Sequence, residues 1–214
     1  MNIDPVAVAL GFGILLLSLT IHEAAHAWTA SRLGDQTARL LGRVSLNPLV
    51  HIDPIGTVVL PLIAAISHLP VIGWARPVPV NPRNLGHPRR DFMLVAAAGP
   101  ISNLLQAVAA AIAIRATSSP LPDGGLQAHV PVAVISALYT AVDINLLLAF
   151  FNLIPVPPLD GGNVLLGVLP PRAAAAYSQL RQYGFIVLYA LLVSGVASAI
   201  VIPPTNLLMR ILLP

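Results

Sequence analysis

Residues 6–31 read VAVALGFGILLLSLTIHEAAHAWTAS, an apolar stretch that carries His22, Glu23 and His26 in its second half. A helix needs about 20 consecutive apolar residues to cross a bilayer, and this stretch is long enough. Side chains four residues apart project from one face of a helix, so His22 and His26 can present ring nitrogens to one metal ion. Glu23, the only glutamate in the chain, is then placed to take a proton from a water at that metal. The stretch therefore predicts a membrane helix with a zinc site, in which Glu23 is catalytic.

Composition extends this prediction to the whole chain. The sequence is 57% hydrophobic and only 9% charged, with a mean hydropathy of +0.84, which indicates a polytopic membrane protein. There is no cysteine, so thiolate metal ligands are excluded. The net charge of +3 comes from arginines scattered between apolar segments, which is typical of membrane topology. We expect the lipid bilayer as a partner and no nucleic acid.

Hydropathy divides the chain into spans. Residues 92–115, 132–155 and 183–202 each match a spanning helix in length, as does 6–31. Residues 33–54 are more polar and predict a strand-like insertion. We predict an all-α bundle of four to six transmembrane helices in one integral membrane domain, 1–214, with a catalytic core at about 6–170 and a C-terminal helix at 183–202.

Arginine placement predicts the topology, because basic residues accumulate in cytoplasmic loops. The segment 117–131 has no arginine, whereas Arg89 and Arg90 directly precede the span 92–115. That span should run outward and the next one inward, and the end of the first helix should be cytoplasmic. These assignments agree only if the apolar residues 55–72 form a re-entrant hairpin.

The zinc site needs a third protein ligand, since a catalytic zinc typically has three and leaves one position for water. The chain offers other histidines and aspartates, and topology removes most of them. Asp160, in Leu159-Asp160-Gly161-Gly162, follows the inner end of a span and can reach the depth of the histidines if the chain folds back. Asp143 lies deeper. The alternative for Asp160 is a simple turn or a helix cap.

Three segments resemble the signatures of the site-2 protease family of intramembrane zinc metalloproteases, in the same order. They are His22-Glu23-Ala24-Ala25-His26, Gly99-Pro100-Ile101-Ser102-Asn103, and residues 152–162. The resemblance covers about residues 6–170. It implies that one zinc ion is bound by His22, His26 and Asp160, that Glu23 is the general base, and that Asn152 lies near the catalytic centre or the substrate.

The resemblance also implies a substrate and a location. The substrate would be a transmembrane protein or peptide, cut near the cytoplasmic side, in regulated intramembrane proteolysis. The alanine-rich, lysine-free composition is that of a bacterium with a GC-rich genome, so we expect a multi-pass protein of a bacterial cell membrane. An extended edge within residues 40–50 or 77–80 is our hypothesis for what holds the unwound substrate.

Four further positions carry expectations of their own. Gly99 should allow close helix packing. Asn103 and Asp143 fall at similar depth in neighbouring spans and predict a hydrogen-bonded pair. His51 and Asp53 predict local turn hydrogen bonds, with a role at the metal as the alternative.

Two other classes of protein would use the same His and Asp cluster: a metal transporter and a noncatalytic membrane scaffold. The transporter needs a polar path to both faces of the membrane, and the outer halves of these helices offer few polar residues. A scaffold would not need Glu23.

Overall fold

The computed structural model describes residues 5–59, 63, 75–120 and 126–214. The described elements are mainly helical, which confirms the all-α prediction. The longer helices are α1 (Pro5–Arg32), α3 (Pro88–Thr117), α4 (Val132–Asn152), α7 (Gly184–Val193) and α8 (Val196–Leu212), and the shorter ones are α2 (Thr37–Leu40), α5 (Asp160–Val168) and α6 (Pro171–Ser178).

Three of these helices, α1, α3 and α4, are long and apolar enough to span a membrane. They pack against one another, and α8 lies along α4. Small residues make the contact: Ala107, Ala110 and Ala111 of α3 are buried against Val142 and Leu146 of α4. Alanines let the helix backbones approach closely, which is how helices associate in lipid.

The predicted C-terminal helix 183–202 is wrong as a single element. The chain breaks between α7 and α8, where Gly195 has a φ of 78°. This left-handed conformation ends a helix and costs glycine little, because glycine has no Cβ. Residues 171–193 and 196–212 together pass as one span bent by 70°, so the described part of the chain contains three spans, or four if the bent pair is counted.

The insertion after α1 contains helix α2 and turns, and none of its residues pairs as a strand within the described part of the chain. Residues 43–47 have no regular structure and lead into a 3₁₀ turn at Pro48–Val50. The described strands are elsewhere: β1 (Ser118–Pro120) pairs antiparallel with β2 (Leu126–Ala128) between α3 and α4. Most of the predicted re-entrant hairpin 55–72 lies outside the described residues. Its first residues belong to a π-helical turn, Pro54–Val59.

Asp35 fastens the end of α1 to the segment before α3. Its carboxylate is fully buried. It accepts hydrogen bonds from the Asn81 N–H at 2.7 Å, from Asn84 Nδ2 at 2.9 Å and from the Thr37 hydroxyl at 2.5 Å. Burial alone would raise the pKa of Asp35, but these hydrogen bonds to the charged form lower it below the ordinary value. These hydrogen bonds fix the position of the segment that leads into α3, the helix that carries Gly99 and Asn103.

Candidate metal centre

The two motif histidines face the interior of the bundle. His22 and His26 are one turn apart on α1, and both are buried. Their Nε2 atoms are 3.1 Å apart, and the ring planes are nearly perpendicular. The histidines thus converge on one point, as the spacing predicts.

Asp160 reaches the same point from the first residue of α5. Its Oδ2 atom lies 3.1 Å from Nε2 of His22 and 3.3 Å from Nε2 of His26. The ligand atoms of the three residues all lie within 4.8 Å of one another. Prolines at 155, 157 and 158 keep the chain out of a helix after α4, and this segment of turns and bends returns Asp160 to the bundle.

The other ring nitrogens are held by acceptors. His22 Nδ1 donates to the side-chain oxygen of Asn103 at 2.6 Å, and His26 Nδ1 donates to the carbonyl of Val95 at 2.7 Å. A carbonyl oxygen can only accept, so Nδ1 carries the proton in both rings. The neutral imidazoles then direct lone pairs from both Nε2 atoms at each other and at Asp160. This is the tautomer that binds a metal.

The donor set fits a zinc ion. With bonds of about 2.0–2.1 Å, neighbouring ligands of a tetrahedral zinc are separated by roughly 3.3 Å, close to the three separations given above. Asp160 Oδ2 is buried and has no hydrogen bond despite its proximity to the imidazoles. Two lone pairs and a carboxylate oxygen at these distances repel one another unless a cation lies between them.

Gly99 accommodates the imidazoles. A Cβ placed at residue 99 would lie 2.5 Å from Nε2 of His22 and would also overlap Nε2 of His26. Glycine is therefore required by the two rings that rest on α3 at this position. The sequence predicts that Gly99 allows a neighbouring helix to pack closely, and in the structure it is the two imidazole side chains of α1 that need the space.

The predicted pair of Asn103 and Asp143 is wrong. Asn103 Nδ2 instead donates to Oδ1 of Asn145 at 2.8 Å, and Asn145 Nδ2 donates to the Ser18 hydroxyl at 2.9 Å. These hydrogen bonds form a buried chain from His22 of α1 through Asn103 of α3 and Asn145 of α4. The chain ends at Ser18, which is again on α1. Asn145 and Ser18 could have been found as polar residues inside apolar helices, which rarely occur without a partner.

Glu23 and Asn152 are less directly placed. Glu23 is half-buried and close enough to His26 and Arg43 to interact electrostatically with both. Asn152 is half-buried at the end of α4, and its Nδ2 donates to the Leu148 carbonyl of the same helix at 2.9 Å. The structure thus places Glu23 within electrostatic range of His26, whereas the Asn152 amide is turned back on α4.

His51 and Asp53 make local hydrogen bonds, as predicted. His51 Nε2 lies 2.9 Å from the Ser45 carbonyl, and the Asp53 carboxylate accepts from the N–H of Gly56 at 2.7 Å. Arg43 closes the same loop from within, since its guanidinium donates to the Val50 carbonyl. Burial, followed by the nearby Arg76, lowers the pKa of Arg43, and Glu23 opposes this.

An open groove of about 330 Å³ separates this loop from α1. Its lining is apolar apart from one serine and consists of Ile21, Ala24, Ala25, Trp28, Val44, Ser45 and Leu46. At about 100° per residue, the α1 side of the groove is roughly 130° around the helix from the histidines. The groove therefore flanks the metal centre and does not open directly onto it.

Comparison with known proteins agrees with this geometry. Residues 10–195 match the model of Peptidase family M50. The chain is 38% identical over 200 residues to "Putative zinc metalloprotease YwhC" of Bacillus subtilis (strain 168), which covers 90% of this chain and 84% of that protein. It is 32% identical over 180 residues to "Putative zinc metalloprotease Rip2" of Mycolicibacterium smegmatis, which covers 84% of this chain and 64% of that protein.

A further relative is "Putative zinc metalloprotease Rip2" of Mycobacterium tuberculosis (strain H37Rv), 30% identical over 177 residues, with 82% of this chain and 63% of that protein covered. The chain thus spans somewhat less than two thirds of the Rip2 proteins. No solved structure matches the chain. The family match extends over most of the sequence, and the chain belongs to Peptidase family M50. It is an integral membrane metalloprotease of that family.

Proposed function

We propose that the protein is a zinc endopeptidase that binds one zinc ion per chain through His22, His26 and Asp160. The observation that carries the proposal is the convergence of two buried Nε2 atoms on a buried carboxylate oxygen that has no hydrogen bond. The ties from Asn103 and the Val95 carbonyl hold both rings in the metal-binding tautomer. These residues fit zinc by donor type and by separation.

Glu23 is the general base of the proposed reaction. Zinc, when bound, supplies a Lewis acid that polarises the scissile carbonyl and makes a water ligand more acidic. The Glu23 carboxylate would accept the proton of the attacking water and later pass it to the leaving amine. One turn of α1 carries the base and the two histidine ligands, so Glu23 keeps a fixed position relative to His22 and His26.

The substrate of the proposed enzyme is a transmembrane segment. His22 and His26 lie roughly 9–15 Å from Arg32, the last residue of α1, at 1.5 Å per residue. This depth is inside the hydrocarbon region, so a peptide bond that reaches the metal belongs to a membrane-embedded chain. Such a substrate must unwind first, because helical carbonyls are occupied by hydrogen bonds.

The site lies toward the cytoplasm in this proposal. All arginines except Arg115 and Arg210 belong to segments at the end of the bundle where α1 ends and α3 begins. Arg115 is at the opposite end and donates to the Leu212 carbonyl at the end of α8. Basic residues are retained on the cytoplasmic side, and this distribution supports a metal site in the inner half of the membrane. We propose the cell membrane of a bacterium as the location and regulated intramembrane proteolysis as the role.

Residues 44–46 are proposed to hold an extended flank of the substrate. The Ser45 carbonyl is occupied by His51, but within the described residues the backbone groups of Val44 and Leu46 have no partner. An extended segment with free N–H and C=O groups beside an apolar groove can add a strand. Leu46→Pro should raise KM and leave zinc bound, whereas Leu46→Thr, which keeps the N–H, should change KM little. Equal KM values would remove the strand from the mechanism.

The direct test of catalysis is Glu23→Gln in the full-length protein, reconstituted in liposomes with a transmembrane substrate. The proposed enzyme loses cleavage and keeps its zinc, because the amide cannot accept the proton and is not a metal ligand. Cleavage that persists at the wild-type rate would contradict the role of Glu23. Metal flux into the vesicles that is unchanged by the substitution would favour a transporter.

A further inference from the structure

The segment that delivers Asp160 has little hydrogen bonding of its own. Prolines at 155, 157 and 158 have no N–H, and the bonds within the segment are short turns, Val156 N–H to the Ile154 carbonyl and Leu159 N–H to the Val156 carbonyl. Such a segment does not fix the position of Asp160 by itself. Residues of the helices that follow Asp160 in the chain contact this segment and support it.

Tyr177 of α6 meets this segment on both sides of Asp160. Its hydroxyl donates to the Pro155 carbonyl at 2.9 Å, five residues before the aspartate. The same oxygen would lie 3.1 Å from a Cβ at residue 162, two residues after it. One phenol thus rests against both ends of the turn that presents Asp160 Oδ2 to the histidines.

Two neighbouring contacts hold the elements after the metal motif against the same turn and the helix that follows it. The backbone at Gly184, the first residue of α7, is packed so closely on Pro157 that a Cβ there would lie 2.5 Å from the Pro157 carbonyl oxygen. Arg181 donates to the Asn163 side chain of α5 at 2.5 Å. The helices after the metal motif therefore form a support for the Asp160 turn.

We infer that Tyr177 is a positioning residue of the metal centre, which holds the Asp160 turn at the distance where its carboxylate joins His22 and His26. This inference rests on the proposed metal site. It assigns to α6 a role in the strength of metal binding, although α6 contributes no ligand. The motif signatures do not include Tyr177.

The test is zinc affinity, measured by chelator competition on the full-length protein in detergent. Tyr177→Phe removes only the hydroxyl, and a net loss of one hydrogen bond corresponds to roughly 2- to 10-fold weaker binding. The matched control is Tyr189→Phe, an exposed tyrosine of α7, which should leave the affinity unchanged. Gly162→Ala is a second variant: its methyl group would lie 2.9 Å from the Pro157 nitrogen and 3.1 Å from the Tyr177 hydroxyl, so it should displace the turn and weaken zinc binding in the same direction.

A double-mutant cycle with Asp160→Ala separates positioning from a general loss of structure. If Tyr177 acts through the aspartate, Tyr177→Phe has no further effect on the residual affinity of Asp160→Ala. Wild-type affinity in Tyr177→Phe, or an equal loss in both backgrounds, overturns the inference while the metal site stands. Wild-type affinity in Asp160→Ala alone overturns the proposed site and the inference together.

Discussion

Asn103→Leu removes the acceptor that holds His22 and preserves the approximate volume of the side chain. In the wild type, Asn103 accepts from His22 Nδ1 at 2.6 Å and donates to Asn145 Oδ1 at 2.8 Å. The substitution leaves two buried polar groups without partners, at a cost of about 1–3 kcal/mol each. The sum of about 2–6 kcal/mol is a large part of the typical 5–15 kcal/mol of folding stability.

The effect of Asn103→Leu on zinc affinity depends on how the substitution changes His22. An imidazole without its Nδ1 partner loses both orientation and basicity, and such losses typically weaken metal binding by about 10- to 100-fold. We expect that range for zinc in Asn103→Leu. Asn103→Asp keeps the acceptor for His22 but points an oxygen at Asn145 Oδ1, so it should lose stability and retain more of the affinity.

The assay is chelator competition for zinc beside thermal unfolding of the metal-free protein. The control is Ser102→Ala, since the Ser102 hydroxyl donates only to the Gly99 carbonyl of its own helix at 2.7 Å. If the zinc affinity of Asn103→Leu were within twofold of that of the control, the hydrogen bond from His22 to Asn103 would have no part in metal binding.

Three other predictions concern Gly99, the stabilisation of the fold by zinc, and the loss of stability at low pH through Asp35. Gly99→Ala should abolish zinc binding, because its methyl group overlaps both imidazoles, and metal analysis of the purified variant checks this. Zinc at 100 times its dissociation constant should stabilise the fold by about 2.7 kcal/mol, seen as a higher thermal midpoint that chelator reverses; an unchanged midpoint would argue against the site. The hydrogen bonds that lower the pKa of Asp35 stabilise the fold fully above about pH 4, its ordinary range, and that stability is lost as the pH falls through the lowered value. The difference in thermal midpoint between wild type and Asp35→Asn should therefore shrink below about pH 4, and a difference that is constant from pH 7 to pH 3 would exclude this role.

The sequence predicts the spans and the ligand cluster because both depend on regular spacing. Apolar length alone places α1, α3 and α4 within a few residues of their observed ends. The four-residue spacing places His22 and His26 on one face of α1. Asp160 follows from depth, together with the family resemblance and the prolines that allow the chain to return.

Depth along a helix does not reveal the direction of a side chain around it, and this explains the wrong partner for Asn103. Asp143 and Asn145 differ by only about 3 Å in depth but by roughly 200° around α4. Asn145 faces Asn103, so Asp143 faces another way. An azimuth becomes predictable only when the packing of neighbouring helices is known.

Contacts to the backbone leave no pattern in the sequence. The Val95 carbonyl that orients His26 and the Pro155 carbonyl that accepts from Tyr177 can belong to any residue type. The break at Gly195 is also hard to predict from the sequence. The apolar pattern continues through it, and the break is visible only in the left-handed φ of Gly195.

The most direct test of the central claim is the zinc content of the purified wild-type protein beside Asp160→Ala and Asp143→Ala, with cleavage of a transmembrane substrate measured in the same samples. We expect one zinc ion per chain in the wild type and in Asp143→Ala, and the loss of both zinc and cleavage in Asp160→Ala. Zinc that remains at one per chain without Asp160 would contradict the assignment of the metal centre.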